Sequence, residues 1–556
     1  MTRKAKKRIL IFIGIPLVCI AGFVIWFKIA TRMDPPRVAD MRALDLQRTR
    51  QGDHYFAIGR NKLQKNEFGL WEMYVEGDAF TRGAVFGKLN KELIYGQEKA
   101  FIDQIRVLVP NESYLKTLKY ALAFFNRGMD KYIPREYLEE IYGISFSHPD
   151  TFDFVGEKYN RVLNYHAAHD IGHAMRQYML VGCTSFSAWD DDSLLLVGRN
   201  FDFYVGDEFA ENKIVAFFKP DSGQRFMTVT WPGFIGAVSG MNEHGLTVTL
   251  NAAASDPPLA TKTPIAILAR EILQYATDID GALAIAQKRE TFVSETIMVG
   301  SASDGKTVLI EKSPSRTVLY EAPGQRIICA NHYQSEAFSA DEMNRENIRT
   351  SDSPYRYERI GELLDQYGKP TVRDAADILR DKEGKDNAVL GYGNQKSVNQ
   401  LIAHHSVIFK PLERKVWVSA SPYQLGTYVC YDLNKVFARF PETVGPEPMS
   451  SNGENIAADP FLNTSAYRGY EHYRKLKGYV QWFTSHKKYT LDPAVLAAFE
   501  GSNPDFYHTH ELLGDYYRAH GANNLAIPQY EKALSLEIAT LTERGSIEKK
   551  LEKSRE

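Results

Sequence analysis

Apolar and polar positions recur with different periods along this chain, and the changes of period divide it. Ile9 to Phe27 is a charge-free, mostly apolar run preceded by Arg3, Lys4, Lys6, Lys7 and Arg8. As a helix rising about 1.5 Å per residue it spans roughly 28 Å, close to a bilayer core. This predicts a single-pass membrane anchor within residues 1–33. The basic stub is then cytoplasmic, and the remainder lies on the non-cytoplasmic (periplasmic or extracellular) side of the cell membrane. A cleaved signal peptide is the competing reading, weakened by the length of the run and by the lack of an A-x-A site. Asp34-Pro35-Pro36 breaks the helix and opens a linker over 34–69.

From about Leu70 a strand and a Gly-punctuated turn lead into helical pattern that continues to about Met179. At Val181 the texture changes. "CTSFSAW", "SLLLVGRNFDF", "KIVAFFKP", "RFMTVTWPG" and "GLTVTLNAA" are short β-rich runs cut by Gly, Asp and Asn, the signature of antiparallel meanders. "TPIAILAREILQYA" and "IDGALAIAQKR" carry apolar residues at three- and four-residue spacing and predict helices. Strands return around the Asp304-Gly305 turn, in "RIICANHY" and in "HHSVIFKPLERKVWVSAS". Blocks in this order predict two stacked sheets with helices on their outer faces, over a core at 183–450. Residues 451–556 read as helical. There Leu513, Gly514, Tyr517, Ala526, Tyr530 and Ala533 fall at the spacings of one tetratricopeptide-like hairpin. One repeat cannot bury its own faces, so the hairpin either docks on the main domain or offers a surface to a protein partner.

Composition narrows the class. A chain of 556 residues exceeds one compact domain. With 44% hydrophobic and 24% charged residues it is globular, and a net charge of -2 gives no electrostatic case for nucleic acid. Cys19, Cys183, Cys329 and Cys430 lie far apart without a CxxC pair. That excludes a disulfide scaffold and a zinc cage, and no cofactor or metal is expected.

The chemistry concentrates in "LVGCTSFSAWDDDSLLLVGRNFDF". A hairpin turning at Asp190–Asp192 returns Arg199 and Asp202 beside Cys183. A nearby cation favours thiolate, and Arg199 cannot lose its proton. If Gly182-Cys183 is the cleavage site, the freed α-amine of Cys183 serves as general base and Asp202 holds its ammonium form. Glycine at 182 leaves the bond open to attack. Asn251, ending "GLTVTLN", and Asn331, in "CANHY", are candidate donors to an oxyanion. The bland alternative makes Arg199 and Asp202 a structural ion pair.

"GCTSF", "GRNFDF", "MNEHGLTVTLN", "ANHYQS" and "SPYRYERI" together resemble the penicillin acyltransferase family of N-terminal-nucleophile (Ntn) hydrolases. More distantly, the chain is similar to choloylglycine (bile salt) hydrolases. The likeness runs from about Val75 to Leu433. The resemblance implies an α+β, four-layer αββα fold, and autocatalytic cleavage before Cys183 that leaves 70–182 as a mostly helical α chain and 183–450 as the β chain. It also implies action on linear amide C–N bonds of a small-molecule amide or acyl donor. By motif position Cys183 matches the nucleophile, Arg199 and Asp202 its neighbours, Asn251 the oxyanion asparagine, Asn331 the second asparagine, and Arg356 a late arginine. The anchor and the C-terminal helices depart from the fungal pattern and put a penicillin-related substrate in doubt.

Other residues carry plainer readings. Cys329 reads as core packing. His166, His169 and His173 share a helical face, but no second carboxylate-rich motif completes a metal site. Trp189, Trp231 and Phe234 are candidates for an apolar pocket. The rival function is an idle Ntn scaffold that displays the helical repeat, against which the intact Cys-Arg-Asp-Asn-Asn set argues.

Overall fold

The structure is a computed structural model and describes residues 3–109, 111–168, 170, 180–258, 260–440, 442–443 and 445–556. Among these, two large, mostly antiparallel sheets dominate. One has eleven strands, ordered Thr49–Arg50, Tyr55–Ile58, Asn61–Lys65, Trp71–Gly77, Ile214–Pro220, Phe226–Thr230, Ser239–Asn242, Leu246–Ala252, Glu295–Ser301, Lys306–Lys312 and Thr317–Tyr320. Its single parallel ladder joins Trp71–Gly77 to Ile214–Pro220. The other has six, ordered Ile327–Cys329, Thr184–Trp189, Leu195–Phe201, His405–Lys410, Lys415–Ser419 and Tyr428–Asp432.

Side-chain alternation along the strands explains the layering. In Ile214–Pro220, Ile214, Ala216 and Phe218 face one core while Val215 and Phe217 face another. Successive side chains of a strand point to opposite faces, so a strand apolar on both must lie between two cores. The second core is the space between the sheets, where Val215 and Phe217 are joined by Val197, Val407, Phe409 and Val418 of the smaller sheet. The outer face of the smaller sheet, with Phe186, Leu196 and Ile408, is covered by the helices Ser353–Tyr367 and Val372–Leu379. The outer face of the larger sheet is covered by Ile265–Tyr275 and Ile279–Lys288 and by Ala79–Leu89 and Arg135–Ser145. The order is therefore helix, sheet, sheet, helix. Asp278 caps Ile279–Lys288 by accepting from the Gly281 amide.

Two expectations are corrected. The membrane anchor is the first. A helix forms over Arg3–Ala30, yet among the described residues no helix is long and apolar enough to cross a membrane. The C-terminal aromatics of this helix pack on protein instead: Phe27 stacks on Phe124 with ring centroids 6.3 Å apart, and Trp26 approaches the same ring at 6.1 Å. Part of the apolar run thus faces the Glu112–Phe125 helix, and the single-pass topology and exported catalytic domain inferred from it fall with the anchor. Second, 34–69 is more than a linker, since three of its segments form the strands at one end of the larger sheet.

Beyond 460, five helices follow one another: Ser465–Ser485, Pro493–Ser502, Tyr507–Ala519, Asn523–Ser535 and Leu541–Arg555. Tyr507–Ala519 and Asn523–Ser535 pack closely because Gly514 lies under the ring of Tyr530, where a Cβ would come within 2.5 Å of it. This region docks on the sheet domain. Tyr392 and Asn503 exchange two hydrogen bonds at 3.1 and 2.8 Å, Asn394 donates to Glu537 O at 2.8 Å, and Leu401 and Leu425 enter the helical core.

Candidate active site

The strand Thr184–Trp189 pairs with Leu195–Phe201 in one register, Thr184 opposite Asn200 and Ser185 opposite Arg199. The same register continues backwards through Val181 opposite Phe203 and a Gly182 N–H to Asp202 O bond of 2.9 Å. Cys183 therefore sits at the mouth of a hairpin between Arg199 and Asp202, and all three side chains are buried. Arg199 Nη2 lies 3.5 Å from Cys183 Sγ. Its guanidinium also donates to Leu250 O and Ser239 Oγ and lies 4.3 Å over the Phe201 ring.

Burial and charge oppose one another at the thiol. Burial pushes Cys183 up to about 11, and the Arg199 cation pulls the other way without prevailing. Asp202 is pushed up to about 8 by burial, with Arg356 and Arg199 countering. Among the described residues neither carboxyl oxygen of Asp202 has a hydrogen-bond partner.

Arg356, on the helix Ser353–Tyr367, reaches across the end of the smaller sheet. It donates to Cys183 O at 2.8 Å, Thr184 Oγ1 at 2.6 Å and Asn331 Oδ1 at 2.8 Å, and pairs with Asp352 at 3.1 Å. Asn331 turns its amide to Ala252 O at 3.0 Å. Asn251 accepts from Ser185 Oγ at 2.8 Å and donates to Cys329 O at 3.0 Å and Ala330 O at 3.2 Å. The six candidate residues are thus in one neighbourhood, but both asparagine amides are already engaged with main-chain carbonyls. Cys329 is buried in the core between the sheets.

Two further polar groups reach this neighbourhood, and sequence reasoning did not single them out. Gln400 Nε2 donates to Gly182 O at 3.1 Å, and a Cβ on residue 182 would come within 2.6 Å of that same nitrogen. Glycine is thus what lets the amide approach its carbonyl. Ser239 accepts from Arg199. Nothing in "KSVNQL" or "AVSGMN" marks either as functional; only the tertiary arrangement does.

Trp231 and Phe234 stack with centroids 4.2 Å apart and, with Phe203, Phe209 and Phe101, line a small cavity beside the hairpin; Trp189 is not among its walls. Of the three histidines, His166 is buried, with Nδ1 2.8 Å from Val162 O and Nε2 accepting from the Ile235 amide at 3.0 Å. Its ring is fully occupied by main chain; His169 and His173 lie outside the described residues.

Residues 189–422 match the model of the acyl-coenzyme A:6-aminopenicillanic acid acyl-transferase family, the family the motifs resemble. The match contains Arg199, Asp202, Asn251, Asn331 and Arg356 and begins past Cys183. An Archaeoglobus fulgidus protein is 25% identical over 355 residues, covering 56% of this chain and 58% of its own. Dictyostelium discoideum protein dcd1A is 25% identical over 242 residues, covering 39% and 52%. The chain spans about half the length of the curated relatives it matches. Among solved structures, a Caenorhabditis elegans N-acylethanolamine-hydrolyzing acid amidase ortholog is 16% identical with TM-score 0.31, over 41% of this chain and 93% of its own. A Clostridium perfringens conjugated bile acid hydrolase is 12% identical with TM-score 0.32, over 46% and 93%.

Proposed function

We propose that this chain is a self-processing cysteine amidohydrolase or acyltransferase that makes Cys183 an N-terminus by cutting its own Gly182–Cys183 bond. Asp202 carries this reading. A buried carboxylate with no donor is strongly unfavourable, so in the intact chain the group keeps its proton to about pH 8. Cleavage creates an α-ammonium on Cys183, across the hairpin from Asp202, and supplies the missing cation and donor.

In the processing step Cys183 Sγ adds to the Gly182 carbonyl carbon. The C–N bond breaks, the thiol proton passes to the departing Cys183 amine, and a thioester remains. Water then adds to that thioester, releasing the Gly182 carboxylate and restoring the thiol. Gln400 Nε2, 3.1 Å from Gly182 O, faces the oxygen on which negative charge develops. Arg356 holds the Cys183 carbonyl while the bond on its other side breaks.

The same chemistry then serves an external amide. The free α-amine takes the thiol proton, Cys183 attacks the substrate carbonyl, and the amine leaves with that proton. The acyl thioester passes to water in hydrolysis or to a second amine in transfer. Arg199 stabilises the thiolate. Asn251 is the proposed oxyanion donor, with its longer contact, to Ala330 O, as the one a substrate oxygen replaces.

The test is acid quenching during turnover of a panel of N-acyl p-nitroanilides. The account expects the acyl mass on the peptide that carries Cys183, and no turnover by Cys183→Ala. Turnover retained by Cys183→Ala would remove the nucleophile from the account.

A further inference from the structure

Behind Arg199 runs a buried chain of polar groups that the reaction scheme does not use. His404 immediately precedes, and His405 opens, the strand His405–Lys410, which pairs with Leu195–Phe201 so that His405 lies opposite Phe201 and Val407 opposite Arg199. Both imidazoles are buried. His404 Nδ1 and His405 Nδ1 are 2.8 Å apart, and His405 Nε2 is 2.8 Å from Ser239 Oγ. Ser239 Oγ in turn accepts from Arg199 Nη1, and Arg199 Nη2 faces the Cys183 sulfur.

Hydrogen counting leaves two orders for this chain, and they differ in where the unmet hydrogen falls. Arginine only donates, so Ser239 Oγ is the acceptor of that bond. The hydroxyl has one hydrogen, and among the described residues its remaining partner is His405 Nε2. When the hydroxyl donates that hydrogen, His405 Nε2 presents a lone pair. A neutral ring with a lone pair on Nε2 carries its proton on Nδ1 and donates it to His404 Nδ1, which leaves His404 protonated on Nε2. This order places the one unmet hydrogen at the far end, on His404 Nε2, which has no partner among the described residues; the reverse order makes Arg199 and His405 both donate to Ser239 and places it on the buried hydroxyl that holds Arg199.

The surroundings keep both rings neutral. The charged groups facing the pair are Arg199, a constant cation, and Lys213, which burial pulls down to about 7 and whose Nζ has no hydrogen-bond partner among the described residues. The remaining neighbours are the rings of Phe201, Phe209 and Trp231. Burial and this positive surround drive both imidazoles well below their ordinary value.

We propose that His405, acting through the Ser239 hydroxyl, is a positioning residue that orients the Arg199 guanidinium on the Cys183 sulfur, with His404 setting the tautomer of His405. A guanidinium has several staggered orientations, and one good acceptor on the nitrogen turned away from the sulfur selects among them. The functional consequence rests on the reading of Cys183 as nucleophile; the hydrogen-bond order does not.

The test has two arms. In the first, full-length protein labelled with 15N-histidine is examined by long-range 1H–15N correlation at pH 7, with His404→Asn and His405→Gln used for assignment. The expected result is His405 protonated on Nδ1 only and His404 on Nε2 only. A His405 protonated on Nε2, or either ring doubly protonated, overturns the order. In the second, the rate of Cys183 alkylation is followed against pH in processed protein by peptide mass mapping. Ser239→Ala and His405→Phe are expected to slow alkylation at pH 8 by about tenfold, which is one unit of thiol pKa. They should also lower kcat with KM changed less than about twofold. Ser239→Thr, which keeps the hydroxyl, restores the profile. An unmoved profile in both Ser239→Ala and His405→Phe overturns the positioning role while leaving Cys183 as nucleophile. Turnover surviving in Cys183→Ala overturns the nucleophile reading while leaving the tautomers intact.

Discussion

Asp202 is a carboxyl in the wrong place for an uncut chain: buried, opposite Gly182 and, among the described residues, without a donor on either oxygen. Its raised value has a thermodynamic consequence. The folded, uncut protein binds this proton up to about pH 8, whereas the unfolded chain releases it near the ordinary carboxyl value of 3.8. Between those values the folded state binds more protons, so stability falls as pH rises, by up to about 1.4 kcal/mol per pH unit. Asp202→Asn in the uncut Cys183→Ala protein removes this slope. Its stability advantage over Cys183→Ala in urea melts should be near zero at pH 4 and grow towards pH 8; a constant difference would mean that the carboxyl is solvated or paired. Asn251 makes a separate prediction. Its amide serves two buried carbonyls, so Asn251→Ala should lower stability by about 1–3 kcal/mol per unpaired group as well as slowing turnover. Equal melting of mutant and parent would contradict the bracing role. Cys183, Arg199 and Asp202 were legible in the sequence because one hairpin about Asp190–Asp192 relates them by simple counting. Gln400, Ser239, His404 and His405 were not, because they arrive from distant segments and their residue types are common everywhere.

At the scale of elements, periodicity served where burial was two-sided or strongly one-sided. The helices Ile265–Tyr275 and Ile279–Lys288 and the hairpin about Asp304-Gly305 all form where the apolar spacing and the turn residues put them. It failed where the pattern does not reveal what the apolar face meets. The run Ile9–Phe27 has the same composition whether it faces lipid or, as Trp26 and Phe27 do, the rings of Phe124 and Tyr120. The strands Tyr55–Ile58 and Asn61–Lys65 are too short to declare a period, and their polar residues match those of a linker. The helical pair at Gly514 gives a test of packing at this scale. Gly514→Ala gains about 1 kcal/mol of helix propensity. The added Cβ, however, meets the Tyr530 ring at 2.5 Å, and overpacking costs about 1–3 kcal/mol. The variant should therefore denature at lower urea and be cut faster by protease within 507–535. A stabilised variant would show that the two helices separate freely.

The whole molecule explains how a chain could be cut at 182 and stay one body. Residues before the cut supply four strands of the larger sheet, and Trp71–Gly77 is laddered over its full length to Ile214–Pro220 from beyond it. Separating the two pieces means opening a sheet interior whose faces lie in two cores. The processed pieces should therefore co-elute in size-exclusion chromatography and part only in denaturant; separation in native buffer would contradict this. The most direct measurement of the central claim is intact mass with N-terminal sequencing of purified wild type and Cys183→Ala. The account predicts two chains for wild type, the second beginning at Cys183, and a single uncut chain for Cys183→Ala. A wild-type protein that remains one chain while turning over amides, or a Cys183→Ala protein cut at the same bond, would contradict it.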